Sequence, residues 1–310
     1  MPSFTTFLKA ALLAFSIAAN AQGTPGTLGF ALGIHKINDE TCKTTEDFVA
    51  DLKLIKEKTG SSVVRIYTTS QCEAFKTLMP ALKETGSTAV VGLWATPPDH
   101  FLKEIAALTG DLKEYADQVV GITVGSEHLY RKELTGQELA DLIKKVQGEV
   151  KTLGLDTPVG FADSWNLMAD GSANPAIKQS DIILANAFSY WQGSKITNST
   201  QMLFDDIMQA LQHVQDVKGT IDIPFWVGET NWPTGGKNFE DAVPNKDNAE
   251  TYWYSAVCGM LGWGVNTFVF EAFDEPWKPA EKNNDVEQHW GVMTVDGEPK
   301  WDLVCPKPSN

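Results

Sequence analysis

Short apolar runs alternate with amphipathic stretches from one end of the chain to the other, and this alternation limits the fold more than any other feature. The runs span residues 28–34, 62–67, 89–94, 119–125, 158–162, 181–188, 223–228 and 266–273. Most are near-continuous in apolar or small residues, the pattern of a parallel strand covered on both faces. Between them lie helical patterns at 46–58, 72–84, 137–153, 200–217 and 248–263, while the segment between Asp163 and Asp181 is poorly defined. Thr44 and Thr135 stand where N-caps belong, each with an acidic residue three positions on. Eight strands alternating with helices predict a single-domain α/β chain, a (β/α)8 TIM barrel. The competing doubly wound sheet would carry a Gly-rich phosphate turn, and neither G-x-G-x-x-G nor a Walker loop occurs. With no linker-like break in composition, residues 22–310 read as one barrel domain.

Residues 1–21 read as a cleaved signal peptide. Lys9 precedes a short apolar run, and Ala19 and Ala21 supply small residues for cleavage. The C-terminus lacks the apolar tail of a lipid-anchor signal, so the mature chain is expected outside the cell, with no membrane attachment. Cys42, Cys72, Cys258 and Cys305 form an even, widely spaced set that suits disulfides better than zinc. Of three pairings, Cys42 with Cys72 and Cys258 with Cys305 is the cheapest if each pair falls within neighbouring units. Asn198 opens an Asn-Ser-Thr glycosylation acceptor, read as lying in a polar loop. The net charge of -15 and the lack of a basic stripe argue against nucleic acid.

In a barrel, chemistry belongs at the C-terminal ends of the strands. The fourth and seventh runs both end in a glutamate, Glu127 after Gly125-Ser126 and Glu229 after Gly228. An ionised carboxylate is costly to bury unless something uses it, and a matched pair across a barrel is the minimum machinery for breaking a glycosidic bond. One carboxyl donates a proton to the leaving oxygen and the other attacks the anomeric carbon. Trp94, Trp165, Tyr190, Trp191, Trp232 and Trp277 fall at or beyond strand ends, where rings can stack on the apolar faces of sugars. Some of them are expected to be core or loop anchors instead. The five histidines show no metal-ligand spacing, no reactive serine or cysteine context occurs, and His128 is at most a supporting group.

Five motifs in order, Arg65-Ile-Tyr67, Val124-Gly-Ser-Glu127, Val227-Gly-Glu-Thr-Asn-Trp-Pro233, Phe273-Asp-Glu-Pro-Trp-Lys278 and His289-Trp-Gly-Val292, resemble glycoside hydrolase family 17 over nearly the whole mature chain. The resemblance implies a retaining enzyme acting on β-1,3-glucan, with Glu127 as acid/base, Glu229 as nucleophile, and Glu275 and Lys278 beside the acid/base. It brings Tyr67, Ser126, Asn231 and Trp232 into the set of expected substrate contacts, with Trp165, Tyr190, Trp191 and Trp277. Plant members usually have Asn before the acid/base; here Ser126 stands there, followed by Leu129-Tyr-Arg131, which resembles the fungal cell-wall branch and its glucan-transferring enzymes. Glucan is then both donor and acceptor, and no cofactor or metal is implied. The alternatives are an endo-β-1,3-glucanase, a non-catalytic glucan-binding wall protein, and an unrelated barrel enzyme such as a lyase or aldolase.

Overall fold

In the computed structural model, which describes residues 24–37, 40–280 and 284–306, eight strands pair in chain order and close on themselves. They are β1 (Leu28–Ala31), β2 (Val63–Ile66), β3 (Thr88–Leu93), β4 (Val119–Ser126), β5 (Val159–Ser164), β6 (Ile183–Asn186), β7 (Phe225–Thr230) and β8 (Asn266–Val269). Every pairing is parallel, including that of β8 with β1. The barrel expected from the alternating pattern is therefore present. The stretch read as a signal peptide lies outside the described residues. Among those described, no helix is long and apolar enough to cross a membrane.

The crossovers carry α1 (Thr45–Thr59), α2 (Ala74–Thr85), α3 (Pro98–Asp111), α4 (Gly136–Thr152), α5 (Trp165–Ala169), α6 (Asn174–Gln179), α7 (Ile196–Lys218), α8 (Lys246–Tyr252) and α9 (Cys258–Gly262). Thr44 and Thr135 close reciprocal capping boxes with Asp47 and Glu138, which satisfy N–H groups that a helix start otherwise leaves bare. The segment between Asp163 and Asp181 holds two short helices, α5 and α6. A π-turn at Trp253–Val257 joins α8 to α9, and it turns Trp253, Ala256 and Val257 into the core. Asn198 lies exposed in the first turn of α7, not in a loop.

The main core fills the space between strands and helices, and a smaller cluster of Val90, Ala162, Ile182, Leu184 and Phe268 fills the barrel itself. Trp226 stacks on Phe268 at 5.1 Å. The barrel is thus a packed floor, and a ligand can enter only above it, at the C-terminal strand ends. Two disulfides tie the loops: Cys42–Cys72 joins the β1–α1 connection to the turn after β2, and Cys258–Cys305 joins α9 to the C-terminal segment.

Candidate active site

β4 delivers Glu127 through a sharp backbone turn. Gly125 (φ 74°) and Glu127 (φ 60°) are both left-handed, a conformation that costs a residue with a Cβ and persists only where surroundings hold it. The holding group is Asp163 at the end of β5, buried, whose carboxylate accepts the N–H groups of Leu129 (2.8 Å), Tyr130 (3.2 Å) and Ser164 (2.8 Å). Burial outweighs those bonds and pushes its pKa up to about 6. Glu127 then faces the cavity, with Oε2 3.7 Å from Arg131 Nη1. His128 points the other way, fully buried beneath the turn and edge-on to Trp94 at 4.9 Å. Burial first, then the charge of Arg131, lower its pKa to about 4, so it is neutral at ordinary pH.

Glu229 sits near the end of β7 and is held more firmly. Its Oε1 accepts from Arg65 Nη1 (3.0 Å) and lies 3.3 Å from Ser126 Oγ, and Arg65 also reaches Gly228 O (2.8 Å) and Ser126 Oγ (3.1 Å). Arg65 is fully buried and packs against the Tyr67 ring at 4.7 Å. The Tyr67 hydroxyl is buried and makes no hydrogen bond of ordinary geometry, although the nearby Glu229 charge adds to burial in raising its pKa. Asn186, the last residue of β6, donates from Nδ2 to Glu127 Oε1 (3.2 Å) and to Ser126 Oγ (3.4 Å), so one polar chain links the two glutamates.

Burial pushes the Glu229 carboxyl up to about 7; the Arg65 charge opposes this and that of Glu127 reinforces it. Two carboxyls that feel each other's charge resist ionising together, so their proton uptake is linked. The donors decide where the anion rests. A buried guanidinium and a hydroxyl face Glu229, whereas Glu127 is met by a neutral amide and a more distant, partly exposed Arg131.

Both glutamates line both lobes of a cleft. The wider lobe, about 670 Å³, is walled by Trp165, Phe188, Trp191, Phe239, Phe270 and Trp290. The narrower, about 330 Å³, includes Tyr67, Trp94, Ser126, Glu275, Trp277 and Lys278. The cleft therefore collects Tyr67, Ser126, Trp165, Trp191, Glu275, Trp277 and Lys278 from the expected contacts, and Trp94 besides. Three others are corrected. Tyr190 and Trp232 are 0% exposed core residues whose polar atoms bond Lys237 O (2.5 Å) and Val243 O (3.0 Å); a ring with no open face cannot stack on a sugar. Asn231 is also fully buried and uses its amide to hold Trp290 O at 2.8 Å.

Lys278, partly exposed, bonds the buried Glu271 Oε1 (2.7 Å) and Glu275 Oε2 (2.8 Å), forming a trio on the wall of the narrow lobe. Glu275 and Lys278 share that lobe with Glu127, but the cation that pairs with Glu127 is Arg131, at 3.7 Å. Burial, then the Glu275 charge, holds Glu271 well above the usual carboxylate range. Burial works to lower Lys278, and the two carboxylates more than offset it and raise its pKa. Sequence reading missed Asn186, Asp163 and Glu271. Asp163 directly follows the run 158–162, so the argument that found Glu127 and Glu229 would have found it, whereas Asn186 is uncharged and falls inside the run 181–188. Glu271 was hidden inside an apolar run read as strand.

Among the described residues, His35, Cys42 and Cys72 bring three ligand atoms together, but both sulfurs are consumed by the disulfide and one imidazole cannot hold an ion.

A family profile described as the BtgE/BtgC glycoside hydrolase domain matches residues 29–291. The glucan 1,3-beta-glucosidase of Saccharomyces cerevisiae is 44% identical, with 97% of this chain and 98% of that protein covered. That of Schizosaccharomyces pombe is 43% identical, with 91% and 88% covered. The crystal structure of a glycoside hydrolase family 17 beta-1,3-glucanosyltransferase from Rhizomucor miehei is 28% identical and superposes with a TM-score of 0.78, covering 91% of this chain and 99% of that one. Its active-site mutant in complex with laminaritriose gives the same score at 27% identity, with the same coverage.

Proposed function

The chain belongs to the BtgE/BtgC glycoside hydrolase family, and from that premise we propose a retaining enzyme that cleaves β-1,3-glucan and passes the glycosyl unit to a second glucan. The observation that carries the reading is the unequal setting of two carboxylates in one cleft. Glu229, faced by Arg65 and Ser126, is the anion that attacks the anomeric carbon. Glu127 carries a proton and gives it to the leaving oxygen as that bond breaks. The proton is lost from the pair only as pH rises through about 7, which suits an acid working on the acidic side of neutrality.

The resulting glycosyl-enzyme has two fates. Glu127, now ionised, takes a proton from either water or a sugar hydroxyl, whichever stands over the anomeric carbon. The wide lobe favours the sugar: Trp165, Trp191 and Phe239 offer partly open rings on which a glucan can lie, and a held acceptor competes at high effective concentration. The Rhizomucor miehei neighbour is named as a transferase, which agrees. The names of the yeast relatives favour predominant hydrolysis as the second reading. Two disulfides and the signal-like stretch at 1–21 support action outside the cell or in its wall, where exposed Asn198 would be open to glycosylation.

The test is to trap the intermediate. A 2-deoxy-2-fluoro β-1,3-glucoside with a good leaving group should add one glycosyl mass to the protein, on a peptide containing Glu229. Glu229→Ala should take no label and should lose turnover while still binding glucan. Label on another residue, or unimpaired turnover by that variant, would remove Glu229 as nucleophile.

A further inference from the structure

Asn186 is 1% exposed, and its three side-chain contacts reach two other strands, β2 and β4, and the turn that follows β4. Oδ1 lies 3.4 Å from Arg65 Nη1 on β2, while Nδ2 lies 3.4 Å from Ser126 Oγ on β4 and 3.2 Å from Glu127 Oε1 just beyond it. The orientation of the amide is fixed by chemistry. A guanidinium can only donate, so the amide oxygen must face Arg65 and the NH2 must face Glu127 and Ser126. The backbone makes room for this meeting: a Cβ on Gly228 would stand 2.5 Å from Asn186 Oδ1 and 3.2 Å from Arg65 Nη1.

We infer that Asn186 is a positioning residue for the proton donor: its amide occupies Oε1 of Glu127, so that the proton exchanged with substrate is carried on Oε2. The inference rests on the reading of Glu127 as acid/base. In cleavage, the Oε2–H bond breaks and its proton joins the glycosidic oxygen, while the bond from that oxygen to the anomeric carbon gives way to the Glu229 ester. In transfer, the acceptor hydroxyl gives its proton to Oε2 as its oxygen bonds the anomeric carbon and the ester breaks. The amide keeps its own protons throughout, so the Oε1 contact persists across both half-reactions and holds the carboxyl plane still.

An N–H donated to a carboxyl also favours its ionised form. Other charges face Glu127. Arg131, which also bonds Glu133, favours ionisation; the carboxylates of Glu229 and Asp163 oppose it; Arg65 is engaged with Glu229; and His128 is neutral with its ring turned to the Ser126 backbone. Losing the amide removes one support for the anion and leaves the opposing carboxylates in place.

The test uses Asn186→Asp, which keeps the acceptor toward Arg65 and removes the donor, beside Asn186→Ala, with thermal unfolding to confirm that each is folded. With ¹³C-labelled glutamate, the Glu127 carboxyl, identified by its loss in Glu127→Gln, should titrate about one pH unit higher in Asn186→Ala and higher still in Asn186→Asp. The basic limb of kcat/KM on a pure β-1,3-gluco-oligosaccharide should move the same way, with kcat down about tenfold and KM within about twofold. An unmoved titration in a folded Asn186→Asp protein would overturn the inference. If the wild type itself fails to turn over the oligosaccharide, the functional reading falls, and the titration still decides whether the amide acts on Glu127.

Discussion

On the β5–β7 side the cleft is walled by aromatic rings and holds about 670 Å³, whereas on the β1–β2–β8 side it holds about 330 Å³ and sets the Glu271–Lys278–Glu275 trio beside Tyr67, Trp94 and Trp277. The narrow side is also braced. Buried Glu104 of α3 accepts hydrogen bonds from the side chains of Thr68, Thr69 and Ser70, and the Cys42–Cys72 disulfide ties the loops beside them. Fixed, paired charges suit the orientation of one reacting sugar. Partly open rings suit a chain that must arrive, lie down and leave, since stacking is tolerant of register. Glu127 and Glu229 border both lobes, so the bond that breaks lies at their junction.

The largest expected effect is on the narrow side. Lys278→Met leaves two buried carboxyls without their counter-charge, which should cost about 3 kcal/mol of stability and depress kcat more than KM. Denaturant unfolding against pH checks the sign. The Glu271 pKa is already raised above its ordinary 4.5 with Lys278 beside it, and removing that cation raises it further, so the loss should be full where the variant's Glu271 is ionised and should shrink as pH falls and that carboxyl takes up its proton. A loss that does not vary with pH would mean the trio's charges are not what Lys278 supports.

A smaller effect sharpens the junction. The pair's proton leaves as pH rises through about 7. Above that pH kcat/KM should fall about tenfold per unit, for short and long donors alike, because the pair belongs to both lobes. A limb that moved with acceptor-side chain length would place the controlling group within the wide lobe.

The smallest effect is the most selective. Trp191, 38% exposed, should contribute about 1 kcal/mol of stacking to an acceptor, so Trp191→Ala should lower the ratio of transfer to hydrolysis about fivefold and leave donor cleavage nearly unchanged. Trp277→Ala, in the narrow lobe, should instead slow cleavage itself. Product ratios and initial rates from the two variants compare the lobes directly, and identical effects would erase the distinction.

The barrel was legible because buried parallel strands leave continuous apolar runs, yet the runs overshoot the strands. The stretch 28–34 contains a strand only to Ala31, and 266–273 only to Val269. The overshoot has a physical cause: Leu32, Gly33, Ile34 and Phe270 continue past the strand ends as lining of the narrow lobe. Glu127 and Glu229 stood out because a charge after an apolar strand is costly. Asn186 carries no charge and drew no notice, although it touches more of the site's polar groups than Glu275 does. Tyr190 and Trp232 misled for the opposite reason. A large ring at a strand end serves equally well to anchor a loop, and both are packed within a cluster that includes Trp290 and Tyr252.

The most direct measurement is the length of the products formed from one pure β-1,3-gluco-oligosaccharide of about five units, followed over time, since it reports the fate of the shared intermediate. The account predicts products longer than the substrate from the first minutes, formed by transfer to acceptors held in the wide lobe. Only shorter products at every time would contradict a lobe built to hold an acceptor, and an unchanged substrate would contradict the assignment of catalysis to Glu127 and Glu229.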